Sequence, residues 1–434
     1  MNKKILNLAL PNIISNITVP LLGLVDMFIV GQMGDKQYIG AVAVGGSIFN
    51  LIYWNFGFLR MGTSGFTAQA YGRRDLSDAM LTLARALSVA LAVALLILVL
   101  QRPLYSLATQ VIDASEGVKD HAATYFGILI WGAPAILGMY AFKGWFIGMQ
   151  NSRIPMYIAI TINVLNIAFS MFFVMGLGMK IEGVALGTLL AQYSGVLTAL
   201  IFFLACYRKL LPKLVVKNVL RLRAMLDFFK VNGNIFIRTF CLVCVFTFFT
   251  AASAGMGDTQ LAVNALLLQL FTLFSYIMDG FAYAGEALVG RYVGAKSLPL
   301  LKDVVRKLLG WGVALSLLFT LLYALWGNEL LGFIMKNKEV VAAAQPYFYW
   351  VLAVPLAGFS AFLWDGIFIG ASASNAMRNA MLGATAVFFT VYYLLRPEWG
   401  AHALWLSFLL FLALRGVLQH VQVKRAVYAK VAAG

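Results

Sequence analysis

Charge is scarce in this chain. Asp, Glu, Lys and Arg make up 12% of its 434 residues, against 62% hydrophobic residues and a mean hydropathy of +0.86. A soluble domain carries about 25% charged residues, so the shortage excludes an ordinary water-soluble fold and leaves a polytopic membrane protein. Cysteine is as scarce: Cys206, Cys241 and Cys244 are the three present, all in apolar runs, which excludes a disulfide framework. The Cys241-x-x-Cys244 spacing can spell redox or metal chemistry, but within residues 240–249 it reads as two small residues packing as hydrophobes. The three histidines, His121, His402 and His420, lie near span ends. There is no His-Glu-x-x-His, no Ser/His/Asp set and no cluster of metal ligands, so neither an enzyme nor a metal or cofactor site is expected. No cleavable leader is read either. Met1-Asn2-Lys3-Lys4 runs into a long apolar segment that holds Pro11, Pro20 and Asp26, which is the pattern of a first span.

What is present is hydropathy. It predicts twelve spans, approximately 5–30, 38–69, 80–101, 122–147, 155–178, 183–206, 231–254, 260–288, 305–327, 343–370, 377–395 and 400–421. Each suits a bilayer core of about 30 Å at about 1.5 Å per residue. The net charge of +16 could suggest nucleic acid, but its distribution argues for membrane orientation. Of 33 Lys and Arg residues, 21 fall on the side of the termini, 7 on the other side and 5 within or at the edges of spans. By the positive-inside rule both termini are expected in the cytoplasm and the chain in the inner membrane, with no nucleic-acid partner.

The halves repeat at an offset of 222 to 223 residues. Phe146-Ile147-Gly148 recurs as Phe368-Ile369-Gly370, Tyr125-Phe126 as Tyr347-Phe348, Met33-Gly34-Asp35 as Met256-Gly257-Asp258, and Gly57-Phe58 as Gly280-Phe281. Six spans per half is an even number, so the repeats are parallel; such repeats mark secondary transporters with their substrate sites at the repeat interface. The expected domains are an N-lobe, 1–207, a basic cytoplasmic linker, 208–230, and a C-lobe, 231–434. Apolar and basic residues interleave in the linker, which fits either a helix on the anionic leaflet or a solvated tether.

Four acids lie inside the predicted spans: Asp26, Asp279, Glu286 and Asp365. A charge left in hydrocarbon costs several kcal/mol, so each is expected to face the bundle interior or a water-filled cavity, where a carboxyl can exchange a proton. Asp26 is the one such acid of the first half, downstream of Pro11 and Pro20, which can act as hinges. Span five offers Asn163, Asn166 and Ser170, the last two one turn apart; span six offers Thr188 and Gln192 in the same relation. Amides in a span also serve as glue between helices. In the second half Asp279 and Glu286 share a face, preceded by Asn264 and Gln269, with Arg238 on span seven and Asp365 on span ten. That set fits a structural ion-pair network as well as a transport site.

Several motifs in order carry a family resemblance over essentially the whole chain. Asn163-Val-Leu-Asn166-Ile with Gly176-Leu-Gly178 and Gly183-Val-Ala-Leu-Gly-Thr188 resembles the span-five to span-six signature of multidrug and toxic compound extrusion (MATE) transporters. Val25-Asp26-Met-Phe-Ile-Val-Gly31 resembles their first span. Phe142-Lys143-Gly144-Trp145-Phe146, Arg238-Thr239, Asp279-Gly-Phe281 with Glu286-Ala-Leu288, and Trp364-Asp365-Gly366 resemble the DinF branch. The resemblance implies an all-α fold of twelve transmembrane helices in two six-helix bundles forming a V-shaped cleft, and drug/cation antiport. It implies proton coupling and binding at Asp26, with Asn166 and Thr188 matching functional positions. One position departs: the family's aspartate four residues after the asparagine is Ser170 here, and the glutamate of the NorM branch in span seven is absent. A hard cation prefers charged oxygens, so the departure favours a proton over sodium.

The expected function is efflux of amphiphilic or cationic drugs and dyes in exchange for protons, by a monomer in the bilayer. The alternatives are sodium-coupled antiport, or a flippase for lipids or lipid-linked oligosaccharides from the same superfamily.

Overall fold

The computed structural model describes residues 1–34, 36–111, 115–335 and 337–432, without the side chains of Val19, Leu22 and Lys36. Asp35 of the first Met-Gly-Asp motif and Lys336 of the charge count lie outside the described residues. Twelve helices are long and apolar enough to cross a membrane. They are α1 (Asn2–Gly31), α2 (Gln37–Gly72), α3 (Leu76–Val99), α4 (Glu116–Gly148), α5 (Arg153–Gly176), α6 (Ile181–Lys213), α7 (Leu222–Ala254), α8 (Asp258–Gly294), α9 (Leu298–Ile334), α10 (Lys338–Gly370), α11 (Ser374–Trp399) and α12 (Ala401–Ala432). Several outrun the predicted spans by a turn or two, because polar residues at a span end extend the helix without meeting the hydropathy criterion. α1 is continuous through Pro11 and Pro20, whereas α2 is interrupted ahead of Phe58, where Gly57 caps the second segment.

By internal packing the chain forms two units, Leu10–Phe228, and Met1–Ala9 with Phe229–Gly434. The repeat is visible inside each unit down to single hydrogen bonds. Arg74, Gln150, Lys296 and Ser372 are the non-glycine residues with positive φ among the described residues, and they form two pairs separated by 222 positions. Each closes a helix with the same bond pair: Asp75 N–H to Ala70 O and Arg74 N–H to Tyr71 O recur as Ser297 N–H to Tyr292 O and Lys296 N–H to Val293 O. That is the Schellman motif, which satisfies carbonyls otherwise orphaned at a helix end.

Glycines set the tightest crossings. A Cβ on Gly144 would sit 2.3 Å from the Arg60 carbonyl oxygen, and one on Gly148 2.8 Å from that of Ser64. In the other unit the same construction at Gly366 and Gly370 meets Ala282 O at 2.2 Å and Glu286 O at 2.6 Å. Both units thus lock the C-terminal half of their second helix against their fourth through backbone contact, which small residues permit in lipid. A polar clamp repeats as well: Asn12 Nδ2 donates to Ser152 Oγ at 2.9 Å, and Asn234 Nδ2 to Ser374 Oγ at 3.1 Å.

The basic stretch forms two short 3₁₀ turns, Arg208–Lys213 at the end of α6 and Val216–Asn218 after it, and residues from Leu222 onward already belong to α7. It is clamped to α3. Arg85 donates to Val219 O at 3.0 Å and Asn218 O at 3.1 Å, and Ser77 Oγ donates to Lys213 O at 2.8 Å.

Candidate functional site

In the first unit α1, α5 and α6 bring three of the singled-out side chains together. Asn166 Nδ2 donates to Thr188 Oγ1 at 2.8 Å, and Thr188 Oγ1 donates to Asp26 Oδ2 at 3.1 Å. Asp26 and Thr188 are each 4% exposed and Asn166 is fully buried. The register that makes this relay possible is set by Gly187. A Cβ there would lie 2.5 Å from Ser170 Oγ and 2.7 Å from the Ser170 amide nitrogen, so α5 and α6 touch through their backbones one residue before Thr188.

The relay leaves oxygen atoms over. Asp26 Oδ1, Asn166 Oδ1 and Ser170 Oγ are buried without a hydrogen-bond partner. Buried polar atoms are seldom left so, and such exceptions call for an explanation. A carboxylate held on one oxygen by a hydroxyl donor, with its other oxygen open, can take up a proton or a cation without dismantling its surroundings. One helical turn beyond Asp26, a cavity of about 520 Å³ is lined by Ile29, Gln32 and Met33 of α1, by Tyr38, and by Val174 to Lys180 around the end of α5.

Other polar residues of this unit stand apart from that relay. Asn163 donates to Ala159 O of its own helix at 3.0 Å. Gln192 Oε1 lies against Gly132, within 2.1 Å of where a Cβ would stand, on the turn that opens the second part of α4.

The second unit gathers charge elsewhere. Asp365 of α10 accepts from Arg238 of α7 and from Arg415 of α12 at Oδ2, the latter at 2.6 Å, and from Gln419 at Oδ1 at 2.8 Å. Asp279, half-buried on α8, adds a second negative charge within electrostatic reach of Arg415, so two cations stand with two anions. Such a cluster is held by mutual neutralisation, because either partner left alone in the interior would be costly. Arg415, which the sequence places only among the five cations within or at the edges of spans, and Gln419 are not among the candidate site residues, although an arginine inside an apolar span is itself a signal that an acid lies nearby in space. Asn264 is a joint between helices: it donates to Ser253 Oγ at 2.6 Å and accepts from Gln260 and Trp405, each at 3.0 Å. Glu286 is buried where Gly370 packs on its backbone, and Gln269 is exposed on α8.

The internal repeat places no copy of the Asp26 relay in the second unit. Carried across at that offset, Asp26 falls at Phe248 or Phe249, Asn166 at Phe388 or Phe389, and Thr188 at Leu410 or Phe411. These positions also meet: Phe248 packs edge-on against Phe389 at 4.9 Å between ring centroids, and Phe388 against Phe411 at 6.1 Å. The same crossing of helices is hydrogen-bonded in one unit and aromatic in the other.

Comparison with known proteins agrees with this architecture. Residues 11–172 and 235–394 match the MatE family, one segment in each half. The chain is similar to the DNA damage-inducible protein F of Escherichia coli K12, with 37% identity over 420 residues covering 96% of this chain and 90% of that protein. It is similar to a probable multidrug resistance protein NorM of Pasteurella multocida, with 22% identity covering 98% and 94%. Among solved structures it resembles the Vibrio cholerae MATE transporter VcmN in its bent form, with a TM-score of 0.85 and 16% identity, covering 99% of this chain and 97% of that one. An outward-facing MATE family multidrug resistance transporter gives a TM-score of 0.83 at 18% identity, covering 99% and 96%. The family match in both halves, with the extent of the E. coli similarity, places the chain in the MatE family of membrane transporters, on its DinF-like branch, and it is a transporter and not an enzyme.

Proposed function

We propose that the protein exports amphiphilic, cationic organic compounds across the inner membrane in exchange for protons, with Asp26 as the coupling group. The observation that carries the reading is the buried relay Asn166–Thr188–Asp26 with Asp26 Oδ1 open. Names among its relatives point the same way, the P. multocida protein being called a probable multidrug resistance protein. Protonation of Asp26 removes the charge that Thr188 hydrogen-bonds and alters how α1 sits against α5 and α6. Pro11 and Pro20 lower the cost of bending α1 in response. A cargo whose affinity differs between the two protonation states is then exchanged for the proton. The lobes follow as 1–207 and 231–434, joined by the basic linker 208–230, with both termini in the cytoplasm and a monomer as the working unit.

A sodium-coupled reading rests on the same open oxygens, Asp26 Oδ1, Asn166 Oδ1 and Ser170 Oγ, since sodium takes oxygen ligands. It has one anionic ligand, because Ser170 stands where an acid would supply the second, and no group of three or more acidic, His or Cys residues that could hold a metal occurs among the described residues. Efflux of a cationic dye from proteoliposomes under an imposed pH gradient, and separately under a sodium gradient, distinguishes the two. Proton coupling predicts efflux with the pH gradient alone, abolished in Asp26→Asn protein that still purifies as a folded species. Efflux driven by sodium alone, or retained in Asp26→Asn, overturns it.

A further inference from the structure

The second unit has an open basic cavity of about 510 Å³, where the start of α9 meets the end of α12. Its floor is apolar, made by Val305, Leu309, Val423 and the buried Trp364; its rim carries Lys302, Arg306 and Lys424, with the rings of His420 and Tyr428. Lys302 and Arg306 are one turn apart on α9 and so project from the same face. Asp303 answers two of the neighbouring cations, Arg306 at 3.1 Å and Lys307 at 3.5 Å. Among the described residues Lys302 and Lys424 have no carboxylate within ion-pair reach, and Lys302 Nζ lies 5.9 Å from the centre of the Tyr428 ring. Lys424 and Tyr428 bound a π-helical turn, a geometry that recurs at functional sites.

The internal repeat supplies a comparison. Met80 and Ala84 stand in α3 where Lys302 and Arg306 stand in α9, at the same offset of 222 as Gly72 and Gly294. In the first unit that groove is filled by the chain itself: Leu210 and Leu214 of the linker pack in one cluster with Met80, Leu83 and Phe142. In the second unit the apolar rim positions Met80, Ala84 and Phe202 are exchanged for Lys302, Arg306 and Lys424.

We infer that this cavity binds the headgroup of an acidic phospholipid, its phosphodiester held by Lys302, Arg306 and Lys424 and the start of its acyl chains lying on Val305, Leu309 and Trp364. An apolar floor under a cationic rim, at the ends of membrane-spanning helices, complements a lipid better than a free anion, and basic pockets between helices on the inner side bind anionic headgroups. The excess of Lys and Arg on this side makes the leaflet the cytoplasmic one.

The test is lipid retention by the full chain in nanodiscs of phosphatidylcholine with a minor fraction of phosphatidylglycerol, read by native mass spectrometry of the released protein. Wild type is expected to retain phosphatidylglycerol. The Lys302→Gln/Lys424→Gln variant is expected to bind it roughly thirtyfold more weakly, the effect of ~1 kcal/mol per basic residue taken twice. A Lys209→Gln/Lys213→Gln variant, neutral in the linker instead, is expected to retain it as wild type does. Thermal unfolding in pure phosphatidylcholine checks that both variants are folded. Equal retention in the first variant, or equal loss in the second, overturns the assignment. So does thermal stabilisation of the wild type by millimolar inorganic phosphate matching that by phosphatidylglycerol, which would make the site one for soluble anions.

Discussion

Replacing Thr188 by valine keeps the shape of the side chain and removes one hydroxyl. The structure sets what that deletion costs. Thr188 Oγ1 is the acceptor for Asn166 Nδ2 at 2.8 Å and the donor to Asp26 Oδ2 at 3.1 Å, so valine leaves a buried amide donor and a buried carboxylate oxygen each short of a partner. A hydrogen bond to a charged group contributes about 1.5–3 kcal/mol, and an orphaned buried donor costs about 1–3 kcal/mol. Thr188→Val should therefore destabilise the protein by roughly 3–5 kcal/mol when Asp26 is ionised. In an Asp26→Asn background the acceptor is neutral and the bond falls to about 1 kcal/mol, so the same substitution should cost roughly 2–3 kcal/mol. The double-mutant coupling, about 1–2 kcal/mol, isolates the contact between the two side chains. Reversible unfolding by SDS in mixed micelles would measure all four proteins. Lowering the pH until the carboxylate is protonated should shrink the coupling toward zero, because the acid then resembles its amide. If the two Thr188→Val costs agree within about 0.5 kcal/mol at neutral pH, the scatter of independent sites, the relay is not an energetic unit and the coupling role of Asp26 loses its basis.

Gly366→Ala should lower the yield of folded, monodisperse protein in size-exclusion chromatography, by overpacking of about 1–3 kcal/mol or more, since the added Cβ would stand 2.2 Å from the Ala282 carbonyl oxygen. Gly138→Ala, with nothing within 4 Å of the added carbon, should behave as wild type in the same run. Asp365→Asn leaves Arg238 and Arg415 facing each other without their shared anion and should cost about 3–5 kcal/mol in thermal unfolding; a wild-type midpoint would mean that the cluster adds nothing. Lys296→Gly should stabilise by about 0.5–1 kcal/mol: the left-handed φ of +53° costs a non-glycine residue ~1–2 kcal/mol, offset in part by glycine's greater backbone entropy. SDS unfolding that shows a loss instead would assign Lys296 a contact outweighing its strain.

Features that depend on local chemistry were legible without coordinates. Hydropathy found every span, because a bilayer demands a continuous apolar run and little else. The repeated Phe-Ile-Gly motif marked real crossings, since Gly148 and Gly370 are where the fourth helix of each unit meets the backbone of the second. Azimuth was not legible. Asn163 and Asn166 read alike in sequence, yet the first bonds its own helix and the second reaches Thr188. Gln269 reads as an in-span amide like Asn264, yet it is exposed where Asn264 is buried, because a lone polar residue in an apolar run does not reveal the side it occupies. The partners of Asp365 were hidden for another reason: Arg415 lies 50 residues away, and sequence pairs charges only within a helix. In the linker, interleaved apolar and basic residues permit a surface helix, but Pro212 and the early start of α7 leave 3₁₀ turns, which Arg85 holds.

The two halves share their turns, glycine crossings and asparagine clamps, so divergence elsewhere on that scaffold has functional meaning. Where the first half has Asp26, Asn166 and Thr188, the second has phenylalanines in edge-to-face contact, a filling that neither takes up nor releases an ion. Of its two buried acids, Glu286 lies at the crossing with Gly370, and Asp365 occupies the position equivalent to Lys143 and is bonded by two guanidinium groups and an amide. A carboxylate so saturated by donors of its own chain has little to offer an incoming cation, whereas Asp26 keeps one oxygen open. On the proposal that Asp26 is the coupling group, the repeat acts as an internal control: equal backbones with unequal polar content leave the open carboxylate oxygen of the relay in the first unit. Transport that persisted after the Asp26 relay was rebuilt as phenylalanine and leucine, in the manner of the second half, would break this argument, since it would place ion exchange on a scaffold shorn of its open carboxylate.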